Sequence, residues 1–306
     1  MAQAKAVTPS LAAARPTVGK GLLGRISPSS RWYWLRPFLA NPLALASSGF
    51  VLFVLLVAIF APLLTPYDPI WLDPVIRLQS PSAGHWFGTD DLGRDVLSRV
   101  VAGTRISLTI GVSVMLVAGL IGTTLGLVSG YYERLDAVIM RVMDGLMAFP
   151  SILLAIALMA SLGPSTVNVF IALVVVYTPT VARLIRSQTL VLRQMTYVES
   201  ARSIGLGDAG ILRKYVFANA LSPLIVQCTF VIAFAIISEA SLSFLGAGVP
   251  PEDPTWGNML RDGQRVLQRA WWLAVFPGMA LVATILTLNL VGDSLRDALD
   301  PRSRNR

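Results

Sequence analysis

The sequence predicts an all-α polytopic membrane protein with six transmembrane helices. Of its 306 residues, 54% are hydrophobic and only 14% are charged, whereas a soluble domain carries about 25% charged residues. Mean hydropathy is +0.65. Apolar runs long enough to cross a bilayer recur along the chain, and the segments between them alternate between basic and charge-balanced.

Residues 1–40 carry Lys5, Arg15, Lys20, Arg25, Arg31 and Arg36 and no acid. Their Ala, Pro, Ser and Gly content predicts a disordered, basic extension on the cytoplasmic side, ahead of a membrane domain over 41–306. No apolar run stands early enough for a cleavable secretory signal. Trp32, Tyr33 and Trp34 suit the membrane interface. The net charge of +8 and a pI near 10.1 raise the thought of nucleic acid. The positive charge, however, flanks apolar spans, which is the membrane pattern instead.

The first span covers 43–64 and is free of charge. A Pro-rich outer segment follows over 65–105, with acids balanced against arginines. Its His85 is the chain's one histidine, and a lone loop histidine is read as solvated. The second span runs over 106–130. There Gly122, Gly126 and Gly130 recur every fourth residue and make a small-residue stripe for close helix packing. A short polar turn over 131–144 leads to a third span that ends at 162, with Pro150 expected to kink its start. The fourth span is 167–185 and contains Pro179.

A comparatively polar loop, 186–222, comes next. Its 197–223 part reads as two short helices about a glycine turn. Gly205 and Gly207 supply turn backbone, Asp208 is the expected N-cap of the second helix, and Arg213 and Lys214 lie off its apolar face. Ser222 and Pro223 are expected to cap and open the fifth span, 224–245. Pattern alone leaves two readings of this hairpin open: a docking surface, or an amphipathic segment lying on lipid.

Glu239 sits inside the fifth span beside Ser238, Ser241 and Ser243. A carboxylate at that depth must face protein or water. It is either a proton or substrate site, or a structural anchor near the outer end of the helix, and the sequence favours the anchor. A second outer segment, 250–270, precedes the sixth span at 271–291. Six spans place both termini on the cytoplasmic side. Cys228, the single cysteine, can form no internal disulfide and supports no metal framework. No G-x-x-x-x-G-K-[ST] loop, zinc-ligand spacing or G-x-S-x-G elbow occurs, so the chain is expected to bind no metal or cofactor and not to be an enzyme.

Four motifs together carry a family resemblance. They are Gly88-Thr89-Asp90 with Gly93-Arg94-Asp95, Glu199-Ser200-Ala201 with Gly205, the S-E-A-S-L-S-F-L-G run around Glu239, and the L-R-D-A-L-D-P-R stretch near the C-terminus. In this order they resemble the C-type permease subunit of the dipeptide/oligopeptide/nickel ABC importers. The pattern downstream of the E-x-A-x-x-x-G loop is degenerate, with Val216, Phe217 and Ala218 before the expected Asn219. The resemblance implies the type I ABC importer permease fold, in which the hairpin is the coupling helix seated in a cytoplasmic ATPase. Glu199, Ser200, Ala201 and Gly205 would then shape that loop, and Arg202, Asp208, Arg213 and Lys214 would contact the ATPase. It further implies a cell inner membrane location, a related second permease, two ATPases holding ATP and Mg, and an extracytoplasmic binding protein. The substrate is expected to be a peptide or related small solute, with nickel or glutathione-like compounds as alternatives. An ion-driven secondary transporter or a non-transporting scaffold are the rivals from other classes.

Overall fold

The structure is a computed structural model that describes residues 41–299. The basic extension 1–40, with its aromatic cluster and expected disorder, lies outside the described residues, as does the C-terminal tail.

Helix α1 is Pro42–Leu64, opened by Asn41, whose side chain accepts from the Leu43 N–H. Helix α2, Val96–Tyr131, is 36 residues long. Asp95 caps it by accepting from the Ser98 N–H at 2.8 Å. The helix therefore starts about ten residues before the apolar run of the expected second span and reaches back into the segment 65–105. Ser98, Arg99 and Thr104 broke the apolar pattern ahead of that run, yet all are buried against protein.

Helix α3, Glu133–Met147, corrects a second expectation: the supposed polar turn over 131–144 is a helix. Its Leu135, Val138, Ile139, Val142, Met143 and Leu146 recur at helical spacing among charged residues. Helix α4, Ser151–Leu162, is only 12 residues long and bends 91° from α3. Pro150 separates the two, since it lacks an N–H and pushes Phe149 out of helical backbone. The chain thus turns sharply where the third span was expected to start.

Helix α5, Thr166–Leu192, passes straight through Pro179. Helix α6 is Thr196–Ser203 and helix α7 is Asp208–Ile211. A π-helical segment, Leu212–Phe217, then runs into helix α8, Ala218–Leu245. The expected break at Ser222–Pro223 is absent, and a continuous helical path covers Asp208–Leu245. Burial of Ile211, Val216 and Ala220 along one side holds the path together, so tertiary packing overrides the local cap signal. Gly246, with φ +81°, ends α8. Helix α9, Trp256–Arg265, occupies the expected outer segment 250–270, and helix α10, Trp272–Leu299, continues beyond the expected end of the sixth span.

Among the described residues five helices are long and apolar enough to cross a membrane, and six spans result where the bent α3–α4 pair counts as one. The core lies where α2, α5 and α8 meet, with Val114, Leu173, Val181, Ile185, Val231 and Leu242 all buried. The glycine stripe of α2 faces α5. A Cβ on Gly122 would stand 2.7 Å from Val181 Cβ, and one on Gly126 would stand 2.6 Å from the Ala182 carbonyl oxygen. Gly130 meets Thr189 in the same way. Any side chain there would separate the two helices.

Glu239 is fully buried between α2 and α8. Ser107 donates to its Oε2 at 3.0 Å and Ser243 to its Oε1 at 2.9 Å. Both oxygens are thus engaged by hydroxyls, the arrangement expected of a tie between helices.

Candidate functional site

The two ends of the bundle carry different structures. At the α2 N-terminal end, Asp90 is the centre of a buried knot. It accepts from the Leu92 N–H at 2.9 Å, the Arg94 N–H at 2.8 Å and Arg94 Nε at 2.6 Å. Arg99 Nε stands 3.7 Å from the same carboxylate, and Arg94 reaches Asp262 of α9 at 3.7 Å. Burial pushes the Asp262 carboxyl up, and Asp91 adds to that against the pull of Arg94 and Arg99. Thr89 donates its hydroxyl to the Ile76 carbonyl, and Trp272 Nε1 donates to the Thr89 carbonyl at 3.2 Å. Asp95 Oδ1 lies 2.9 Å from His85 Nδ1. The G-T-D and G-R-D residues therefore fasten the 65–95 segment to α2, α9 and α10.

The opposite end carries the hairpin. Val198, Ala201, Ile211 and Val216 are buried together against Leu127, Tyr131 and Leu192. This base packs the hairpin onto the ends of α2 and α5. Between its arms the chain reverses at Gly205, whose φ of +84° only glycine adopts without strain. Gly207 has an ordinary φ of −67° and is itself the N-cap of α7. Asp208 stands inside α7 and makes no cap hydrogen bond. Its carboxylate is taken instead by the Tyr131 hydroxyl, which donates to Oδ1 at 2.7 Å.

The predicted residues divide cleanly. Glu199, Ser200, Arg202, Gly205, Asp208, Arg213 and Lys214 are exposed, whereas Ala201 is buried in the base. Ser200 donates to the Thr196 carbonyl, so its hydroxyl serves α6 itself. Arg202 donates to the Tyr131 hydroxyl at 3.3 Å, and its guanidinium lies 5.9 Å from that ring's centre. Lys214 Nζ lies 5.6 Å from the Tyr215 ring centre. At the tip, Ile204 is 82% exposed beside a half-open Leu206.

Several residues escaped the sequence reading. Tyr131 joins both arms of the hairpin to α2. Arg186 grips Asp136 through two hydrogen bonds, at 2.5 and 2.6 Å. Arg183 pairs with Asp144, and Arg193 with Glu133. These pairs lay α3 antiparallel along α5 and place its start beside the hairpin. A polar cleft of about 860 Å³ opens there, lined by Arg134, Arg193, Glu199 and Arg202 among others. The amphipathic spacing of residues 135–146 was the available signal for α3. Tyr131 offered none, because its partners lie more than seventy residues away.

Two coverings of the sequence by known families accord with this geometry. Residues 122–305 match the family described as "Binding-protein-dependent transport system inner membrane component". Residues 30–81 match "N-terminal TM domain of oligopeptide transport permease C". The chain therefore belongs to the membrane components of binding-protein-dependent transport systems, and it is a multi-pass permease subunit of an ABC importer. More particularly, it is a C-type permease of the peptide/nickel ABC family. A glutathione transport system permease protein, GsiD, of Pectobacterium atrosepticum is 46% identical over 277 residues, covering 90% of this chain and 92% of the relative. A dipeptide transport system permease protein, DppC, of Alkalihalophilus pseudofirmus is 44% identical over 266 residues, covering 87% and 88%. The crystal structure of an amino acid ABC transporter with histidines superposes with a TM-score of 0.52 over 65% of this chain and 94% of that one. At 15% identity that likeness concerns the fold. Family membership sets aside the ion-driven and scaffold alternatives.

Proposed function

We propose that this chain moves peptides or related small solutes across the cytoplasmic membrane, driven by a separate ATPase that docks on the α6–α7 hairpin. In this reading the hairpin end faces the cytoplasm, both termini lie there, and the Asp90 knot faces outward. A related second permease completes the path, two ATPase subunits hold ATP and Mg, and an extracytoplasmic binding protein delivers the solute. The carrying observation is the division within the hairpin. Its base is buried on α2 and α5, while its tip and charged residues are exposed. Such an element can pass a push from a bound partner into two spans at once. For that push to drive transport, the docked partner must favour one access state over the other. Glu199 and Arg202 at the cleft, with Arg213 and Lys214 on the second arm, are the contacts offered to the ATPase.

The relatives' names bear on the solute. Dipeptide and glutathione systems are both represented among them. Both solutes are short peptides ending in free carboxylates, so that class stands first, ahead of a nickel complex. The test is ATP-dependent uptake in cells lacking this chain, complemented by wild type or by Glu199→Arg. Labelled dipeptide, glutathione and nickel are offered separately. Wild type is expected to restore a peptide, and Glu199→Arg to reduce that uptake at least tenfold while remaining inserted at wild-type level. Normal transport by the inserted variant would remove Glu199 from the coupling surface. Restoration of nickel alone would overturn the solute class.

A further inference from the structure

We infer that Arg105 is a carboxylate-binding residue of the solute path, positioned to hold the free C-terminal carboxylate of a peptide on its way inward. This rests on the peptide-importer reading above and adds a specificity residue to it.

Arg105 lies ten residues beyond the Asp95 cap of α2, inside a membrane-spanning helix. It is exposed, and its guanidinium makes no ion pair with any described residue. The other arginine close to it in α2 differs. Arg99 is buried, faces Asp90 and donates to the Pro69 carbonyl at 3.1 Å. Arg105 is therefore no part of the knot. Arg105 immediately precedes the apolar run that begins at Ile106, and a cation there turns toward water, a solute or a partner in preference to lipid.

Two cavities identify what it faces. One, of about 620 Å³, is walled by Pro62, Thr65, Asp68 and Thr166 as well as by Arg105. The second, of about 430 Å³, lies further along α2, between Leu55 of α1 and Ser113 of α2. Arg105 and Thr109 line both, so the two cavities flank the same stretch of α2 in the trench between α1 and α2. The trench follows α2 from Ala102 to Ser113, a rise of about 16 Å. That is roughly half the thickness of a bilayer core. The upper cavity has the size that binding sites for small ligands usually have.

Its chemistry selects the ligand. The walls are mostly apolar, with threonine hydroxyls, one cation and one acid. The acid, Asp68, accepts the Ile70 N–H on one oxygen and makes no ion pair with Arg105. A cavity with one separated charge of each sign suits a zwitterionic peptide, whose carboxylate the planar guanidinium can bind through two parallel hydrogen bonds.

The test uses the assembled transporter in proteoliposomes, with its binding protein saturated so that the remaining discrimination belongs to the membrane subunits. Uptake of labelled dialanine is compared with uptake of its C-terminal amide for wild type, Arg105→Gln and Arg105→Lys. Wild type is expected to prefer the free acid. Arg105→Gln should cut that preference at least tenfold, mainly by slowing the acid, while amide uptake stays within about twofold. Arg105→Lys should restore part of the preference, because it keeps the charge and loses the planar fork. Equal slowing of acid and amide by Arg105→Gln would overturn the inference. So would failure of the Arg105→Gln complex to assemble, which would assign the arginine to an acid of the second permease. Wild type that imports both peptides without any change of ratio in the variants removes Arg105 alone. Wild type that imports neither peptide removes the peptide reading and this inference together.

Discussion

Gly126→Ile is expected to leave little or no folded permease. The position is not merely crowded by a flexible side chain. A Cβ there would meet the Ala182 carbonyl oxygen at 2.6 Å, Ile185 Cβ at 2.7 Å and the Arg186 backbone nitrogen at 3.0 Å. Backbone on α5 can yield only by moving the whole helix away from α2. Overpacking a core by a single group costs about 1–3 kcal/mol where side chains can shift. Four extra carbons against backbone should exceed the roughly 4–5 kcal/mol that marks an exceptional substitution. Movement of α5 would also displace Arg186 from Asp136 and so loosen α3. The measure is the yield and melting temperature of detergent-solubilised protein by fluorescence-detected size exclusion. Gly145→Ala is the control, because nothing lies within 4 Å of a Cβ there. A Gly126→Ile protein with wild-type yield and melting would contradict the packing described for α2 and α5.

Asp90→Ala should destabilise the opposite end by about 3–5 kcal/mol, the range for removing one partner of a buried ion pair. Asp90 is 2% exposed, Arg94 6% and Arg99 1%. Without the carboxylate, the two buried guanidiniums keep no closer acid than Asp262, at 3.7 Å from Arg94. The Leu92 and Arg94 N–H groups lose their acceptor as well, so the turn that leads into α2 opens. Asp262→Asn should cost much less, since that contact is long and burial already disfavours the charged carboxylate there. Thermal melting of the three proteins side by side gives the comparison. Equal losses for Asp90→Ala and Asp262→Asn would mean that Asp90 is not the centre of the knot.

The spans were legible wherever apolar residues ran unbroken, as in α1 and most of α5. Their ends were less so, because buried polar residues look the same as solvated ones in a sequence. Ser98, Arg99 and Thr104 hid the first turns of α2 for that reason. The third span was misread in the opposite sense. Arg134 and Arg141 suggested a polar turn over 131–144, although Leu135, Val138, Ile139 and Val142 kept helical spacing among the charged residues. The left-handed turn at Gly205 was visible from residue type alone. The placement of Asp208 was not, since Tyr131 takes its carboxylate from a distant helix. The fusion of the hairpin's second arm with α8 depends on burial of Ile211, Val216 and Ala220, which local cap signals cannot register. Polarity between two apolar runs and a glycine turn located the hairpin, and only the packed structure separates its buried Ala201 from its exposed neighbours.

The central claim is that the exposed tip of the α6–α7 hairpin seats in a cytoplasmic ATPase. The most direct test places a thiol at that tip, as Ile204→Cys in a Cys228→Ser background, within the assembled and importing complex. A short thiol-to-amine cross-linker is applied, and Trp71→Cys in the 65–95 segment, which is also exposed, serves as the comparison. The account predicts a covalent product between Ile204→Cys and the ATPase subunit, and none from Trp71→Cys. An importing complex in which Ile204→Cys stays unlinked, or in which Trp71→Cys links to the ATPase, would contradict it.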